Sequence, residues 1–346
     1  MKLLHWLCVG ALVFFADSLH TVAQVAPPFT AFYAFGDSLV DNGNDFILTQ
    51  RAGLQPAIPP SRSPHAAYFD GRFSNGPVAF EYLWQLLSDN APGSPGGLTA
   101  LLRDPVNVRH RAIDFAFGGT GTGVLDPTPG GFLAPGLRGQ VDLYRTLVAR
   151  GHAPARALFA IFAGAGDYFR ATPLDPAQSV ANIVASLRTL EAIGARTIIV
   201  VNLPDLGAIP MFAGTPQGAA LSQLTAAHNA ALAAALDQLQ ASLPDLQLIP
   251  IDVNAVLQQV PPRVNTTLPA LDALVPAAPG QPPTSRCLFI APQTCPDAPT
   301  FDVGGQFLFW DAEHPTTAVH QLLAQYIYAQ LQNAPAVTTT SEMIMP

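Results

Sequence analysis

Lysine is almost absent from this chain, and so is any clustering of positive charge. Of 346 residues, 16 are Lys or Arg and 24 are Asp or Glu, giving a net charge of −8. The only lysine is Lys2. Without a basic patch, nucleic acid and anionic membrane surfaces are excluded as partners on charge grounds. Charged residues of all kinds make up only 12% of the chain, while 49% are hydrophobic. Even so, no internal apolar run approaches the ~18 residues needed to span a bilayer. Cysteine is scarce too, with three in all, Cys8, Cys287 and Cys295. Two cysteines in the body of the chain cannot build a structural zinc site. His65, His110, His152, His228 and His320 show no metal-ligand spacing, and the reading requires no cofactor. The glycines of Gly118-Gly119-Thr120-Gly121-Thr122-Gly123 are not followed by the Lys-Ser/Thr of a phosphate loop.

What is present begins with a leader. Lys2, the apolar run Leu3 to Phe15 and the small residues Thr21-Val22-Ala23 form a signal-peptide pattern over residues 1–23. Its removal takes away Lys2 and Asp17, one charge of each sign, so the net charge stays at −8. The expected protein is therefore secreted, extracellular or periplasmic. In that setting Cys287 and Cys295 are expected to close a short loop as a disulfide. Asn265-Thr266-Thr267 is a glycosylation sequon.

Strand-like and helix-like segments then alternate, which predicts an α/β domain with a parallel sheet. Strands are expected at Phe32 to Phe35, Ile113 to Phe117, Ala157 to Ala163, Thr197 to Val201, Leu246 to Ile251 and Phe307 to Trp310. Helices are expected at Val78 to Leu87, Leu137 to Val148, Ala177 to Ile193, Leu221 to Leu239 and Ala318 to Leu331. Residues 261–299 form a proline-rich insertion carrying the Cys pair, and 334–346 a flexible tail. No linker divides the chain, so residues 24–333 are read as one domain. Its oligomeric state is not legible.

Two short motifs carry chemistry. Phe35-Gly36-Asp37-Ser38-Leu39 places a serine at the C-terminal end of a predicted strand, where open α/β sheets bind ligands. A serine hydroxyl is a weak nucleophile until an adjacent base takes its proton. Far away, Asp311-Ala312-Glu313-His314-Pro315 puts a carboxylate and an imidazole three residues apart on a turn. There the carboxylate can orient the ring while its other nitrogen faces the serine. Taken singly, the first motif does not decide between a nucleophile and a turn with a helix cap, and the second reads better as a capped helix start with an exposed histidine. There is no Gly-x-Ser-x-Gly elbow around Ser38, which argues against the α/β-hydrolase fold.

Together the motifs resemble the GDSL, or SGNH, family of serine hydrolases. The resemblance includes Ser38-Leu39-Val40-Asp41-Asn42-Gly43-Asn44 and Gly71-Arg72-Phe73-Ser74-Asn75-Gly76-Pro77, typical of its plant-type and secreted bacterial phospholipase-like branches. It continues through Gly194-Ala195-Arg196 and Val201-Asn202-Leu203-Pro204-Asp205-Leu206-Gly207. It implies a three-layer α/β/α sandwich of flavodoxin-like character and ester hydrolysis through an acyl-enzyme. By position Ser38 resembles the family's nucleophile, His314 its base and Asp311 the histidine's partner. Asp37 and Asp167 are read as structural.

The family's oxyanion donors are the serine amide, a glycine amide and an asparagine side chain. Ser38 supplies the first, and Gly119, favoured over Gly118, the second. The third departs from the pattern, because Gly164-Ala165-Gly166-Asp167 has Gly166 where the asparagine belongs. Losing such a donor costs roughly 10²–10³ in turnover. Three explanations stand: a slow enzyme, a substitute donor such as Asn75 or Asn44, or the Gly166 amide itself turned to the oxyanion. If the donor is absent, Gly166→Asn is expected to raise turnover. The expected function is hydrolysis of lipid or short acyl esters. A carbohydrate acetyl esterase and a non-catalytic binding protein are the alternatives.

Overall fold

The computed structural model describes residues 29–104, 111–128, 130–149, 152–169, 175–259 and 308–334, with Leu288, Gln293 and Cys295. The leader, residue 265 of the sequon, Cys287, nearly all of the insertion and the tail beyond 334 lie outside the described residues.

The strands β1 (Ala31–Gly36), β4 (Thr99–Ala100), β5 (Ala112–Asp114), β8 (Ala157–Phe162), β9 (Thr197–Val201) and β10 (Gln247–Ile251) build a six-stranded sheet. Its order is β10-β9-β8-β1-β5-β4, and every pairing is parallel. Two antiparallel hairpins, β2 (Ser61–Arg62) with β3 (His65–Ala66) and β6 (Leu125–Pro127) with β7 (Leu133–Pro135), stand apart from it.

The side-chain period of two splits each buried strand between two cores. Tyr33 and Phe35 of β1, Phe159 and Ile161 of β8, and Ile198 and Val200 of β9 face one way. They pack against α3 (Leu137–Tyr144), α4 (Pro176–Ala192) and α5 (Pro216–Ser242), through Val141, Leu187, Leu190 and Leu236 among others. Phe32, Ala34, Leu158, Phe162, Ile199 and Val201 face the other way. They meet α2 (Ala79–Ser88), α6 (Val253–Gln259) and the helix we label α7 (Thr317–Asn333). The result is the expected three-layer α/β/α arrangement.

Local chemistry sets the starts of α4 and α5 upstream of where periodicity alone puts them. Asp175 caps α4 by accepting from the Ala177 amide, and Thr215 caps α5 by accepting from Gly218, each followed by proline in the first turn. At the far end of α4, Gly194 turns the chain with a φ of 101°.

One expected strand is corrected. Among the described residues, Phe309 forms only an isolated bridge to Pro315, and Leu308 to Trp310 adds nothing to the sheet. The Trp310 amide donates instead to the His314 carbonyl, closing a tight loop around residues 311–314. The apolar residues there are buried by packing on α7 and the loops, not by strand pairing. The short helix α1 (Asn44–Arg51) was not expected.

Chain order fixes where a site belongs. From β1 the chain runs to β4 and β5 on one side, then crosses to β8 on the other. The order therefore reverses between β1 and β8. Open parallel sheets bind ligands outside the carboxyl ends of the strands at such a point. Ser38 follows β1 and Gly166 follows β8.

Candidate active site

Gly36 ends β1 under tight constraint. Its amide donates to Gln140 Oε1 and its carbonyl accepts from Gln140 Nε2, both at 2.8 Å. A Cβ there would sit 2.1 Å from the Phe162 carbonyl oxygen, so only glycine fits beside β8. The next residue, Asp37, accepts from the Leu39 amide at 3.1 Å and shapes the turn that presents Ser38. Asp37 is fully buried, and burial pushes its carboxyl up to about 7.

The two ends of the chain meet here. Ser38 Oγ lies 2.9 Å from His314 Nε2 across 276 residues. His314 Nδ1 lies 2.8 Å from Asp311 Oδ2. Asp311 Oδ1 accepts from the His314 amide at 2.6 Å and from the Glu313 amide at 2.8 Å. With the ring neutral and its proton on Nδ1, that N–H donates to Asp311 and Nε2 accepts from the serine hydroxyl. Burial opposes the imidazolium, yet Asp311, with Glu313 and Asp37, carries the His314 pKa above its ordinary value. Burial likewise opposes the Asp311 anion, but His314 and the backbone donors hold its pKa below the usual carboxylate range. The structure thus brings together all three residues singled out from the two motifs.

Two contacts were not legible in the sequence. The Tyr68 hydroxyl donates to Asp311 Oδ2 at 2.8 Å. Phe73 lays its ring beside that of His314, with centroids 5.1 Å apart. Phe73 belongs to the Gly71–Pro77 motif, whose Ser74 Oγ donates to the Pro315 carbonyl. Tyr68 lies in no motif, and the motif that holds Phe73 does not by itself reveal its place beside the base.

The Ser38–Asn44 motif is scaffolding for the glycine loop. Asp41 accepts from the amides of Gly43, Asn44, Asp45 and Gly118. Asn44 Nδ2 donates to the carbonyls of Asp114 and Ala116, both at 2.9 Å. Both protons of the Asn44 amide are thereby committed, which removes it as a substitute oxyanion donor. Asn75 accepts from the Thr317 amide at 2.9 Å. Among the described residues its NH₂ group has no hydrogen-bond partner. The amides of Ser38 and Gly119 likewise have no acceptor among the described residues. Asp167 is occupied by Thr122 and Ser179, as a structural residue should be.

Gly166 corrects one expectation. A Cβ added there would fall 2.3 Å from the Thr120 carbonyl oxygen. An asparagine cannot be restored at this position without displacing the glycine loop, so the expected gain from Gly166→Asn is withdrawn.

A cleft of about 320 Å³ runs from Ser38 and His314 along the ends of β8 and β9. Phe162, Phe169, Leu206, Ile209, Leu257 and Leu323 give it apolar walls. His320, expected at the surface or in packing, is buried and lines this cleft. His228 is also buried, bonded through Nδ1 to the Tyr168 hydroxyl. His65 Nδ1 lies 2.8 Å from the Cys295 carbonyl oxygen, and His152 is exposed. Cys295 is buried, while its expected partner lies outside the described residues. Among the described residues no group of three His, Cys, Asp or Glu could hold a metal ion, and no helix is long and apolar enough to cross a membrane.

Comparison with known proteins matches residues 32–327 to the family described as GDSL-like Lipase/Acylhydrolase. A phosphatidylcholine-sterol acyltransferase of Aeromonas hydrophila is 28% identical over 342 residues, covering 88% of this chain and 90% of that one. Esterase EstA of Pseudomonas aeruginosa is 29% identical over 347 residues, covering 94% of this chain and 50% of that one. This chain therefore spans about half the length of that esterase. Among solved structures, an M. smegmatis aryl esterase aligns over 88% of this chain and 100% of its own, at 18% identity and a TM-score of 0.41.

Proposed function

The chain belongs to the GDSL-like lipase/acylhydrolase family, a family of carboxylic ester hydrolases, and on that premise we propose that it cleaves carboxylic esters through an acyl-enzyme on Ser38. The observation that carries this reading is the 2.9 Å approach of His314 Nε2 to Ser38 Oγ, with Asp311 behind the ring. In the first half-reaction Ser38 Oγ attacks the ester carbonyl and its proton passes to His314 Nε2. Asp311 stabilises the imidazolium that forms. The carbonyl oxygen becomes an oxyanion, for which the unengaged amides of Ser38 and Gly119 are the proposed donors. The third donor is proposed to be Asn75, whose NH₂ has no partner among the described residues. Collapse of the intermediate expels the alkoxide, which takes the proton from His314. In the second half-reaction water attacks the acyl carbonyl as His314 accepts its proton, and collapse expels the Ser38 oxygen, which takes that proton from His314 as the carboxylic acid leaves.

The apolar cleft favours acyl chains longer than acetyl over carbohydrate acetates, because each buried methylene contributes about 0.8 kcal/mol. Secretion, the Cys287–Cys295 disulfide and a single hydrolase domain over 24–333 belong to the same proposal. The leader pattern and the family match over 32–327 support them. The test is a panel of p-nitrophenyl esters of increasing chain length. Wild type is expected to peak beyond acetate, and Ser38→Ala to fall to background. If the two proteins were equally inert across the panel, hydrolysis would be refuted. Activity confined to acetate would favour the acetyl esterase instead.

A further inference from the structure

The cleft is electrostatically one-sided. Glu313 lines it directly beside His314, and Asp205 lines it further along. Among its described lining residues there is no Lys or Arg. Asp205 is partly engaged, accepting through Oδ1 from the Gly207 amide and the Ser222 hydroxyl. Glu313 differs. Its amide is pinned on Asp311 Oδ1 at 2.8 Å, which fixes the backbone. Its carboxylate, however, has no hydrogen-bond or ion-pair partner among the described residues. It is half-buried, so it reaches the cleft without being sealed from it. The serine reaction described above gives it no step.

A carboxylate facing an apolar wall of this kind acts on whatever charge the substrate carries. Two unit charges about 6 Å apart change binding by between about threefold and a hundredfold, as the effective dielectric falls from that of water to about 20. We propose that Glu313 makes this cleft a charge filter, which accepts esters that are neutral or bear a cationic group on the acyl chain and rejects those bearing an anionic one. The proposal rests on the reading that Ser38 attacks an ester bound in this cleft, and it adds the substrate class. It also predicts weak product inhibition, since the carboxylate released by deacylation is repelled from the cleft.

Three nearly isosteric p-nitrophenyl esters test it: 5,5-dimethylhexanoate (neutral), 4-trimethylammoniobutyrate (cationic) and the glutarate monoester (anionic). Burial pushes the Glu313 carboxyl up to about 7, with His314, Asp311 and Asp37 as the charged groups facing it, so the assay is run at pH 8.5. Wild type is expected to give a kcat/KM for the anionic ester at least tenfold below the neutral one, with the cationic ester at or above neutral. In Glu313→Gln the anionic-to-neutral ratio should rise toward one. The N-methyl amides of the same acids, titrated into Ser38→Ala, should bind in the same order. That arm needs no turnover and no variant at Glu313. Equal kcat/KM for the anionic and neutral esters in wild type, or equal binding of their amides, would overturn the filter. A ratio unchanged in Glu313→Gln would take it away from this residue. An inert wild type that still ranks the amides would instead strike the hydrolase reading alone.

Discussion

Asp311 accepts four hydrogen bonds, from the His314 ring, the His314 and Glu313 amides and the Tyr68 hydroxyl. Three come from its own turn and hold the imidazole in one tautomer. The fourth, from Tyr68, comes from 243 residues away. A hydrogen bond to a charged group is worth about 1.5–3 kcal/mol. Tyr68→Phe is therefore expected to lower kcat by about tenfold with little change in KM, because the bond orients the base and does not touch the substrate. Steady-state kinetics with a short acyl ester will check this, and an unchanged kcat would show that the backbone amides suffice. Gly166 gives a second residue-scale expectation. Gly166→Ala drives a methyl group into the Thr120 carbonyl and should destabilise the fold by about 1–3 kcal/mol or more. Thermal denaturation reads it directly, and an unaltered Tm would mean the loop yields freely. The sequence disclosed Ser38, His314 and Asp311 because each sits in a short motif with a chemical reason for its spacing. Tyr68 was silent, because a long-range partner leaves no trace in its own neighbourhood, and Phe73 was marked by its motif but not by its place beside the base.

Among the elements, the loop between β3 and α2 is held by charge. Arg72 meets Glu81 through Nη2 at 2.6 Å and Nε at 3.2 Å, and Asp70 through Nη1 at 2.9 Å. Glu81 also accepts from the Val78 amide, so one carboxylate ties the loop and caps α2. Arg72 and Glu81 are both buried. Arg72→Leu strands the Glu81 charge in the interior and is expected to cost about 3–5 kcal/mol. The double variant Arg72→Leu with Glu81→Leu should recover much of that loss. Chemical denaturation of the set separates the two outcomes, and a double variant no better than the single would show that the pair is not the cause. The long strands and helices were legible because apolar periodicity and capping residues agree at β1, β8, β9, α4 and α5. Where they do not agree, the pattern misleads. The helix α1 begins with buried polar Asn44 and Asp45, which mimic a loop. Leu308 to Trp310 is apolar for reasons of packing, which periodicity cannot distinguish from a strand. The hairpins, with strands of two or three residues, are too short to carry a pattern.

On the scale of the whole molecule, the buried titratable groups set stability and activity on opposite slopes. Burial lifts Asp37 and Glu313 to about 7, so the folded protein keeps their protons where the unfolded chain, with carboxyls near 4, has lost them. Their contribution is complete in acid and disappears as pH rises through about 7. His314 has the same sign: its raised pKa gives stability that is lost as pH climbs through the folded value. His228 and His320, lowered by burial to about 4 and about 3, act in reverse. The unfolded chain binds their protons below about 6.5, so their effect is stabilisation that grows with pH and is complete near neutrality. Below about 6.5 the two sets oppose each other. Above it the histidine contribution is half complete and soon saturates, while Asp37, Glu313 and His314 go on falling, so unfolding free energy should still drop by about 1 kcal/mol between pH 6.5 and 8. Catalysis requires neutral His314, so kcat/KM for a neutral ester should rise over the same interval. Its acidic limb should lie above the ~6.5 of a free histidine. Urea denaturation and esterase assays on one sample, at pH 6.5 and pH 8, check both signs together. A protein equally stable or more stable at pH 8 would show that Asp37 and Glu313 are already ionised in the folded state near neutral pH.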